Sequence, residues 1–251
     1  MPFVSILIPV YNEAHSLPQL LDELHAVSRT RAIDMEVVVV DDGSTDETWS
    51  TIKKLASQHA QLIGLKLTKN FGKSAALAAA VDNSRHDLIV TIDGDLQDDP
   101  QEIPRLLDEL AQDHDVVVGW KQKRQDRISK RFLSRGFNFF VGTCSRVWLH
   151  DHNSGFKAFR RDVFRDVDLA PGMHRFLPIL AAKNGFRVAE IPVHHRPRLH
   201  GRSKYGWKRI PEAMIDLVGV AFWRKGRIDR SKPPQRYEIC ERTDQGERQG
   251  P

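Results

Sequence analysis

Short apolar runs alternate with helix-like segments through the first 120 residues of the chain. Five of these runs predict buried strands, at residues 4–10, 36–40, 62–67, 88–92 and 115–119. Between the runs, apolar residues recur at helical spacing, as in the segment 14–28, whose stripe consists of Leu17, Leu20, Leu21, Leu24 and Val27. This alternation predicts an α/β fold with a mostly parallel central sheet that is covered by helices.

Polar and acidic clusters follow the first, second and fourth predicted strands, at residues 11–13, 41–46 and 93–95. The carboxyl ends of parallel strands share one edge of the sheet, which is where open α/β sheets bind ligands. Gly94 permits a sharp turn, so that Asp93 and Asp95 can converge. Two convergent carboxylates favour Mg²⁺ or Mn²⁺, whose remaining ligands usually come from substrate phosphates. The alternative is an acidic loop that caps the helix after it.

Two phosphate-binding patterns are excluded by their spacing. Gly72-Lys73-Ser74 resembles the end of a P-loop, but that loop requires a glycine where this chain has Leu67. No G-x-G-x-x-G pattern follows any predicted strand, which disfavours a dinucleotide fold. Lys73 is left with two interpretations, a contact with substrate charge or a solvated lysine in the first turn of a helix.

The net charge of +5 hides a strong asymmetry between the two halves of the chain. Residues 1–120 carry 9 Lys and Arg against 20 Asp and Glu, whereas residues 121–251 carry 29 against 13. We therefore expect an acidic half that holds a metal and a basic half that meets an anionic partner. The two cysteines indicate no disulfide framework and fit a reducing cytosol.

The basic residues concentrate at 121–148 and at 194–209, and the second segment contains no acid. Aromatic and aliphatic residues interleave with the cations of the first segment, which is typical of a membrane-surface helix or an anion site. A solvated face on an ordinary core helix is the alternative. Residues 210–223 predict another amphipathic helix, and the polar residues 226–251 predict a disordered tail.

Six motifs in order resemble the family 2 glycosyltransferases, and among them the polyprenyl-phosphate sugar synthases of the dolichol-phosphate mannose synthase kind. The resemblance covers about residues 3–225. The motifs are Ile8-Pro9-Val10-Tyr11-Asn12-Glu13, Val40-Asp41-Asp42-Gly43-Ser44-Thr45-Asp46, Asn70-Phe71-Gly72-Lys73, Asp93-Gly94-Asp95-Leu96-Gln97, Asp151 to Lys157 and Gly201-Arg202-Ser203-Lys204-Tyr205.

The resemblance implies a GT-A type domain over residues 1–225, in which 1–120 bind nucleotide and metal and 121–225 bind the acceptor. It implies nucleotide-sugar contacts from Pro9, Tyr11, Glu13, Asp41, Asp42, Asn70, Lys73, Asp93 and Gly94. It implies metal ligation of Mg²⁺ or Mn²⁺ by Asp93, Asp95 and Gln97, and catalytic roles for Asp93, Asp95 and Asp151. It implies acceptor contacts from Lys121, Arg131, Arg135, Arg202, Ser203 and Lys204.

The function that follows from the resemblance is inverting transfer of a sugar from a UDP- or GDP-sugar to a polyprenyl phosphate. We expect a peripheral protein at the cytoplasmic face of a membrane, without a transmembrane helix, with a membrane-anchoring protein as a possible partner and no nucleic acid. One alternative is a family 2 transferase acting on a saccharide or glycolipid hydroxyl. A second is a non-enzymatic basic module that binds nucleic acid or anionic membrane, although this leaves the acidic strand ends unexplained.

Overall fold

The computed structural model describes residues 3–121, 142–143, 147–151, 154–166, 173–197 and 237–244. Within these residues, eight strands form one sheet. The strands are β1 (Phe3–Val10), β2 (Asp34–Asp41), β3 (Leu62–Leu67), β4 (Leu88–Thr91), β5 (Val116–Lys121), β6 (Lys157–Arg160), β7 (Val188–Val193) and β8 (Ile239–Arg242). The α-helices are α1 (Leu17–Arg31), α2 (Thr48–Gln58), α3 (Lys73–Asn83), α4 (Ile103–Ala111), α5 (Arg161–Asp166) and α6 (Leu177–Lys183).

The strand order in the sheet is β7-β5-β6-β4-β1-β2-β3-β8. Strands β1 to β4 pair in parallel, as do β5 and β7, while β6 runs antiparallel between β4 and β5. The prediction of an α/β fold with a mostly parallel sheet is confirmed. The pattern did not predict β6, because its four residues are too few to show a period of two.

Side chains alternate between the two faces along each strand, so the apolar strands present apolar side chains on both faces. Helices pack against both. On one face, Ile6 and Ile8 of β1 pack in the cluster that contains the apolar stripe of α1 and Leu106 of α4. On the other face, Leu7 packs in the cluster that contains the alanines of α3 and the apolar side of α6. The small side chains of α3 allow that helix to lie close to the sheet.

The direction in which the chain winds reverses at β1. Strands β2 and β3 lie on one side of β1, and β4 lies on the other. A crevice therefore opens between the loops that follow β1 and β4, which is where doubly wound folds bind ligands. The acidic sequence 93–95 follows β4 and so lies at this crevice.

Part of the predicted disordered tail is ordered. Strand β8 pairs antiparallel with β3, and the Thr243 side chain accepts a hydrogen bond from the Gly64 amide at 2.8 Å. Trp49 donates to Glu241 at 2.8 Å, and Tyr237 donates to Asp82 at 2.7 Å. The prediction of disorder is therefore wrong for residues 237–244. Backbone hydrogen bonds to an open sheet edge supply the order, and composition does not reveal them.

Two expected helical regions fall mainly outside the described residues. These are the basic segment 121–148, except for its described ends, and the amphipathic helix at 210–223. Among the helices that the structure describes, none combines the length and the apolar character needed to cross a membrane.

Candidate active site

The loop after β4 brings Asp93 to the carboxyl edge of the sheet. Ile92 is fully buried and its amide bonds to the Leu7 carbonyl, which anchors the start of the loop beside β1. Asp93 and Asp95 are both partly exposed. A Cβ atom at Gly94 would lie 2.7 Å from a methyl of Val10, so glycine is needed here for close packing against β1.

Lys73 forms an ion pair with Asp93. It is the first residue of α3, and its Nζ contacts Oδ1 of Asp93. The side chains are 23% and 32% exposed, so the pair lies at the mouth of the crevice and not in bulk water. Of the two interpretations of Lys73, the structure therefore disfavours the solvated lysine.

Gly155 packs directly against the other side of Asp93. A Cβ atom at Gly155 would lie 2.6 Å from Oδ2 of Asp93, a distance that only glycine avoids. The Thr91 hydroxyl donates to the Gly155 carbonyl at 2.7 Å, which joins this turn to the end of β4. The segment before β6 thus forms one wall of the site.

Lys157 lies buried in this wall and is not among the site residues predicted from the sequence. It begins β6, directly between Thr91 of β4 and Val118 of β5, and its Nζ donates to the Ser154 carbonyl. Burial, and then the nearby positive charge of Lys73, lowers the pKa of Lys157 to about 7. Asp151 and Asp93 oppose that shift, which places their charges close to the Lys157 ammonium.

Asp151 is buried in the same region. Only 4% of the residue is exposed, and its backbone amide donates to the carboxylate of Glu190 on β7 at 2.9 Å. The structure therefore brings two acids, Asp93 and Asp151, close to two lysines, Lys73 and Lys157. The strand and helix patterns place Asp93 at a strand end and Lys73 at the start of a helix, but they do not show that Lys157 is buried.

Lys121 differs from its predicted role as an acceptor contact. It ends β5, where its ammonium lies 2.8 Å from the buried carboxylate of Asp98. Burial opposes the charged forms, but their mutual attraction dominates: it raises the pKa of Lys121, while Lys121 and His195 hold the pKa of Asp98 below its usual range. The structure thus does not support Lys121 as an acceptor contact, because its charge is committed to Asp98.

Gln97 faces the segment after β7. Its side-chain nitrogen Nε2 lies 3.4 Å from His195 Nε2, and its backbone carbonyl accepts the Arg196 amide at 2.8 Å. Arg196 then bridges Glu23 and Asp99 through its two terminal nitrogens, at 2.6 and 2.7 Å. These contacts fix the loop that carries Asp95, and metal ligation by Gln97 itself stays a prediction.

Asp42, a predicted nucleotide contact, binds backbone amides in the structure. Its two carboxylate oxygens accept the amides of Phe71 and Gly72, at 2.7 and 2.9 Å. Burial raises the pKa of Asp42 to about 6, in spite of these two hydrogen bonds. By holding Gly72, Asp42 holds the start of α3 and with it Lys73. Asp41 is fully buried, so both acids sit beneath the surface of the predicted nucleotide pocket.

The remaining predicted nucleotide contacts lie at or after the carboxyl ends of β1 and β3. They are partly exposed or exposed, namely Pro9, Tyr11, Glu13 and Asn70. Asn12, with a φ of 57°, ties the loop after β1 to the loop after β2, since its amide donates to the Ser44 hydroxyl at 2.9 Å. The predicted acceptor residues Arg131, Arg135, Arg202, Ser203 and Lys204 lie outside the described residues.

The donor set at the crevice fits a hard divalent cation. Among the residues that the structure describes, no three His, Cys, Asp or Glu side chains cluster as a complete metal site. Asp93 and Asp95 would supply carboxylate oxygens only, and a Mg²⁺ or Mn²⁺ ion bound by so few protein ligands takes the rest from substrate phosphates and water. The site is thus suited to a metal that arrives with a diphosphate.

Fold and site together define a doubly wound α/β domain with an acidic, lysine-flanked ligand site at its switch point. The family model described as glycosyl transferase family 2 matches residues 5–168 of the sequence, and this range includes the site. The chain belongs to glycosyl transferase family 2.

Curated relatives resemble the chain over most of its length. An undecaprenyl-phosphate 4-deoxy-4-formamido-L-arabinose transferase of Pseudomonas paraeruginosa is 39% identical over 218 residues, which are 86% of this chain and 64% of the relative. A dodecaprenyl-phosphate galacturonate synthase of Rhizobium johnstonii is 35% identical over 227 residues, or 88% and 67% of the two chains. The chain thus spans about two thirds of the length of these relatives.

Solved structures share the fold. A mannosyltransferase from Pyrobaculum calidifontis, in complex with GDP-Man and Mn²⁺, superposes with a TM-score of 0.66 at 22% identity, covering 88% of this chain and 65% of that one. A glucosyl-3-phosphoglycerate synthase from Mycobacterium tuberculosis, in complex with Mn²⁺, UDP and phosphoglyceric acid, gives 0.67 at 18% identity, covering 90% and 80%.

Proposed function

We propose that the chain is a metal-dependent, inverting glycosyltransferase that moves a sugar from a UDP- or GDP-sugar to a polyprenyl phosphate. The observation that carries the proposal is the pairing of Asp93 with Lys73 at the carboxyl end of β4, beside Asp95. The curated relatives add the acceptor class, since both transferases described above are named for polyprenyl phosphates.

The donor's diphosphate can bind at the Asp93–Lys73 pair, where a metal ion on the carboxylate and the lysine ammonium both attract it. Asp93 and Asp95 would hold Mg²⁺ or Mn²⁺, and the bound ion would neutralise the nucleoside diphosphate that leaves the sugar. Lys73 starts α3, and both its ammonium and the helix N-terminus favour negative charge. Pro9, Tyr11, Glu13 and Asn70 would line the pocket for the base and ribose. Asp41 and Asp42 would lie beneath this pocket and support it.

The acceptor phosphate needs little activation. The second pKa of a phosphate monoester is about 6, so the acceptor is largely dianionic near neutral pH and can attack the anomeric carbon directly. Cationic positioning is then the main requirement, for which we propose Arg131, Arg135, Arg202 and Lys204, with Ser203 as a neutral acceptor contact. Replacing Arg202 or Lys204 by Ala should raise the acceptor KM more than the donor KM.

Asp151 separates this proposal from transfer to a saccharide hydroxyl. A hydroxyl acceptor requires a general base, whereas a phosphate acceptor does not. Asp151 would be that base in the first case and a positioning residue in the second. Under the phosphate proposal, Asp151→Asn should therefore lower kcat by no more than the roughly tenfold to hundredfold loss expected for a misplaced group, whereas loss of a general base costs up to about 10⁴-fold.

We also propose how the chain is divided and where it works. Residues 1–120 would serve the donor and residues 121–225 the acceptor, in line with the charge asymmetry of the two halves. Since a polyprenyl phosphate is a membrane lipid, the protein would work peripherally at the cytoplasmic face, directly or through an anchoring partner. Flotation with vesicles that contain anionic lipid tests the direct contact.

The test of the function has two stages. A thermal-shift screen of UDP- and GDP-sugars should find a donor that raises the melting temperature only when Mn²⁺ is present. That donor is then incubated with undecaprenyl phosphate or with saccharide acceptors, and the product is analysed by mass spectrometry and for its anomeric configuration. Transfer to the lipid with inversion supports the proposal; transfer to saccharides alone overturns the acceptor assignment.

A further inference from the structure

Glu190 makes contacts that an ordinary strand residue does not. It lies on β7 beside Val118 of β5, and its side chain is only 9% exposed. Its Oε1 accepts the amide of Asp151 at 2.9 Å, and its Oε2 accepts the amide of His150 at 2.8 Å. One carboxylate thus binds two consecutive backbone amides, and hydrogen bonds to an ionised acceptor are stronger than neutral ones.

His150 adds two further restraints to the same point. Its Nδ1 lies 2.8 Å from Oε2 of Glu190. Its ring stacks on Trp120 of β5, with centroids 4.0 Å apart and planes inclined by 20°. The backbone at 150–151 is therefore fixed against β5 and β7 through Glu190.

The segment that begins at this anchor enters the candidate active site. Asp151 is buried, and the Thr91 hydroxyl holds the segment again at Gly155, which lies next to Asp93. The charge of Asp151 acts on Lys157 and on Lys121. Because the amide of Asp151 is fixed by Glu190, the position of the Asp151 carboxylate among these lysines depends on Glu190.

We infer that Glu190 is a positioning residue for the transfer reaction, which acts by holding Asp151 in the site through the backbone amides of residues 150 and 151. This inference rests on the proposed function for its kinetic consequences. The anchoring itself can be measured without any substrate.

Glu36 provides a matched control. Its side chain is 7% exposed, and its carboxylate accepts the backbone amide of Arg85 from another segment at 2.8 Å. It lies on β2 opposite Ser5, near the amino ends of these parallel strands, whereas the site lies at the carboxyl ends. Glu36→Gln therefore repeats the chemical change of Glu190→Gln at a remote place.

The experiment compares Glu190→Gln and Glu36→Gln in the full chain. Hydrogen exchange should become faster in peptides that cover residues 147–156 in Glu190→Gln only, because the NH₂ group that replaces one carboxylate oxygen is a donor and cannot accept a backbone amide. With the donor found above, kcat should fall roughly tenfold to a hundredfold, as expected for a misplaced group, while the donor KM stays within about twofold. Glu36→Gln should lower the melting temperature but leave kcat unchanged.

A double-mutant cycle separates positioning from general destabilisation. In an Asp151→Ala background, Glu190→Gln should cost little further activity, because the residue it positions is already gone. Additive losses, or wild-type kcat and exchange in Glu190→Gln, would overturn the inference. If the wild-type chain uses no sugar nucleotide, the proposed function fails; exchange at 147–156 then decides the anchoring alone, with unchanged exchange overturning it.

Discussion

Replacing Lys157 tests the charge arrangement of the site through protein stability. The residue is 4% exposed, and its pKa is lowered from 10.5 to about 7, first by burial and next by Lys73. The folded-state pKa lies below the unfolded-state pKa, so the unfolded chain binds more protons between these two values. The stability of the wild-type protein should therefore rise with pH from about 7 to about 10.5.

The size of the effect follows from the two pKa values. Keeping this ammonium buried costs about 4 kcal/mol at pH 7 and about 1 kcal/mol at pH 9.5. Lys157→Met keeps a long unbranched side chain but removes the titrating group. Its advantage in free energy of unfolding over wild type should therefore shrink by about 3 kcal/mol between these two pH values. A constant offset from the unpaired Ser154 carbonyl does not affect this difference.

Urea denaturation followed by tryptophan fluorescence measures the two curves, without nucleotide or metal. Lys53→Met, at a lysine with a 55% exposed side chain, controls for the loss of one positive charge. Transfer activity of Lys157→Met should fall at the same time, by roughly tenfold or more, if the charge serves the site. Curves of wild type and Lys157→Met that stay parallel with pH would refute the reasoning.

Three further substitutions test separate contacts. Gly155→Ala should abolish most transfer and lower the stability by about 1–3 kcal/mol, because the new methyl meets Asp93; retained kcat would contradict this. Asp42→Asn should weaken donor binding in calorimetry by displacing Lys73, since one of its two backbone contacts is lost; unchanged affinity would disprove that link. Thr243→Val should cost about 1–3 kcal/mol in urea denaturation by leaving the Gly64 amide unpaired, with kcat unchanged; wild-type stability would argue against β8 as a stabilising edge strand.

Local sequence patterns were enough to predict the main strands and helices and their α/β arrangement. Buried strands such as β1 and β2 are continuous apolar runs, and α1 shows its stripe at helical spacing, so neither depends on distant contacts for recognition. The carboxyl-edge position of Asp93 followed from the alternation of strands and helices alone. These features concern neighbours in sequence.

Features that depend on distant partners were not predictable in this way. Lys157 and Lys121 belong to polar or basic stretches, where a pattern favours solvent, yet both side chains are buried near charges from segments distant in sequence. Strands β6 and β8 have four residues each, too short for a periodic signal. Glu190 alternates with apolar residues like any half-exposed strand position, and only the folded chain shows its contacts with residues 150 and 151.

The central claim is that Asp93 and Asp95 bind a cation together with the donor's diphosphate. Calorimetric titration of UDP and GDP, with and without Mn²⁺, into wild type and Asp95→Asn tests it most directly. One nucleotide should bind wild type only with Mn²⁺, and Asp95→Asn should lose this metal-dependent binding while its melting temperature without ligand stays close to that of wild type. Equal Mn²⁺-dependent affinity in the two proteins would contradict the account.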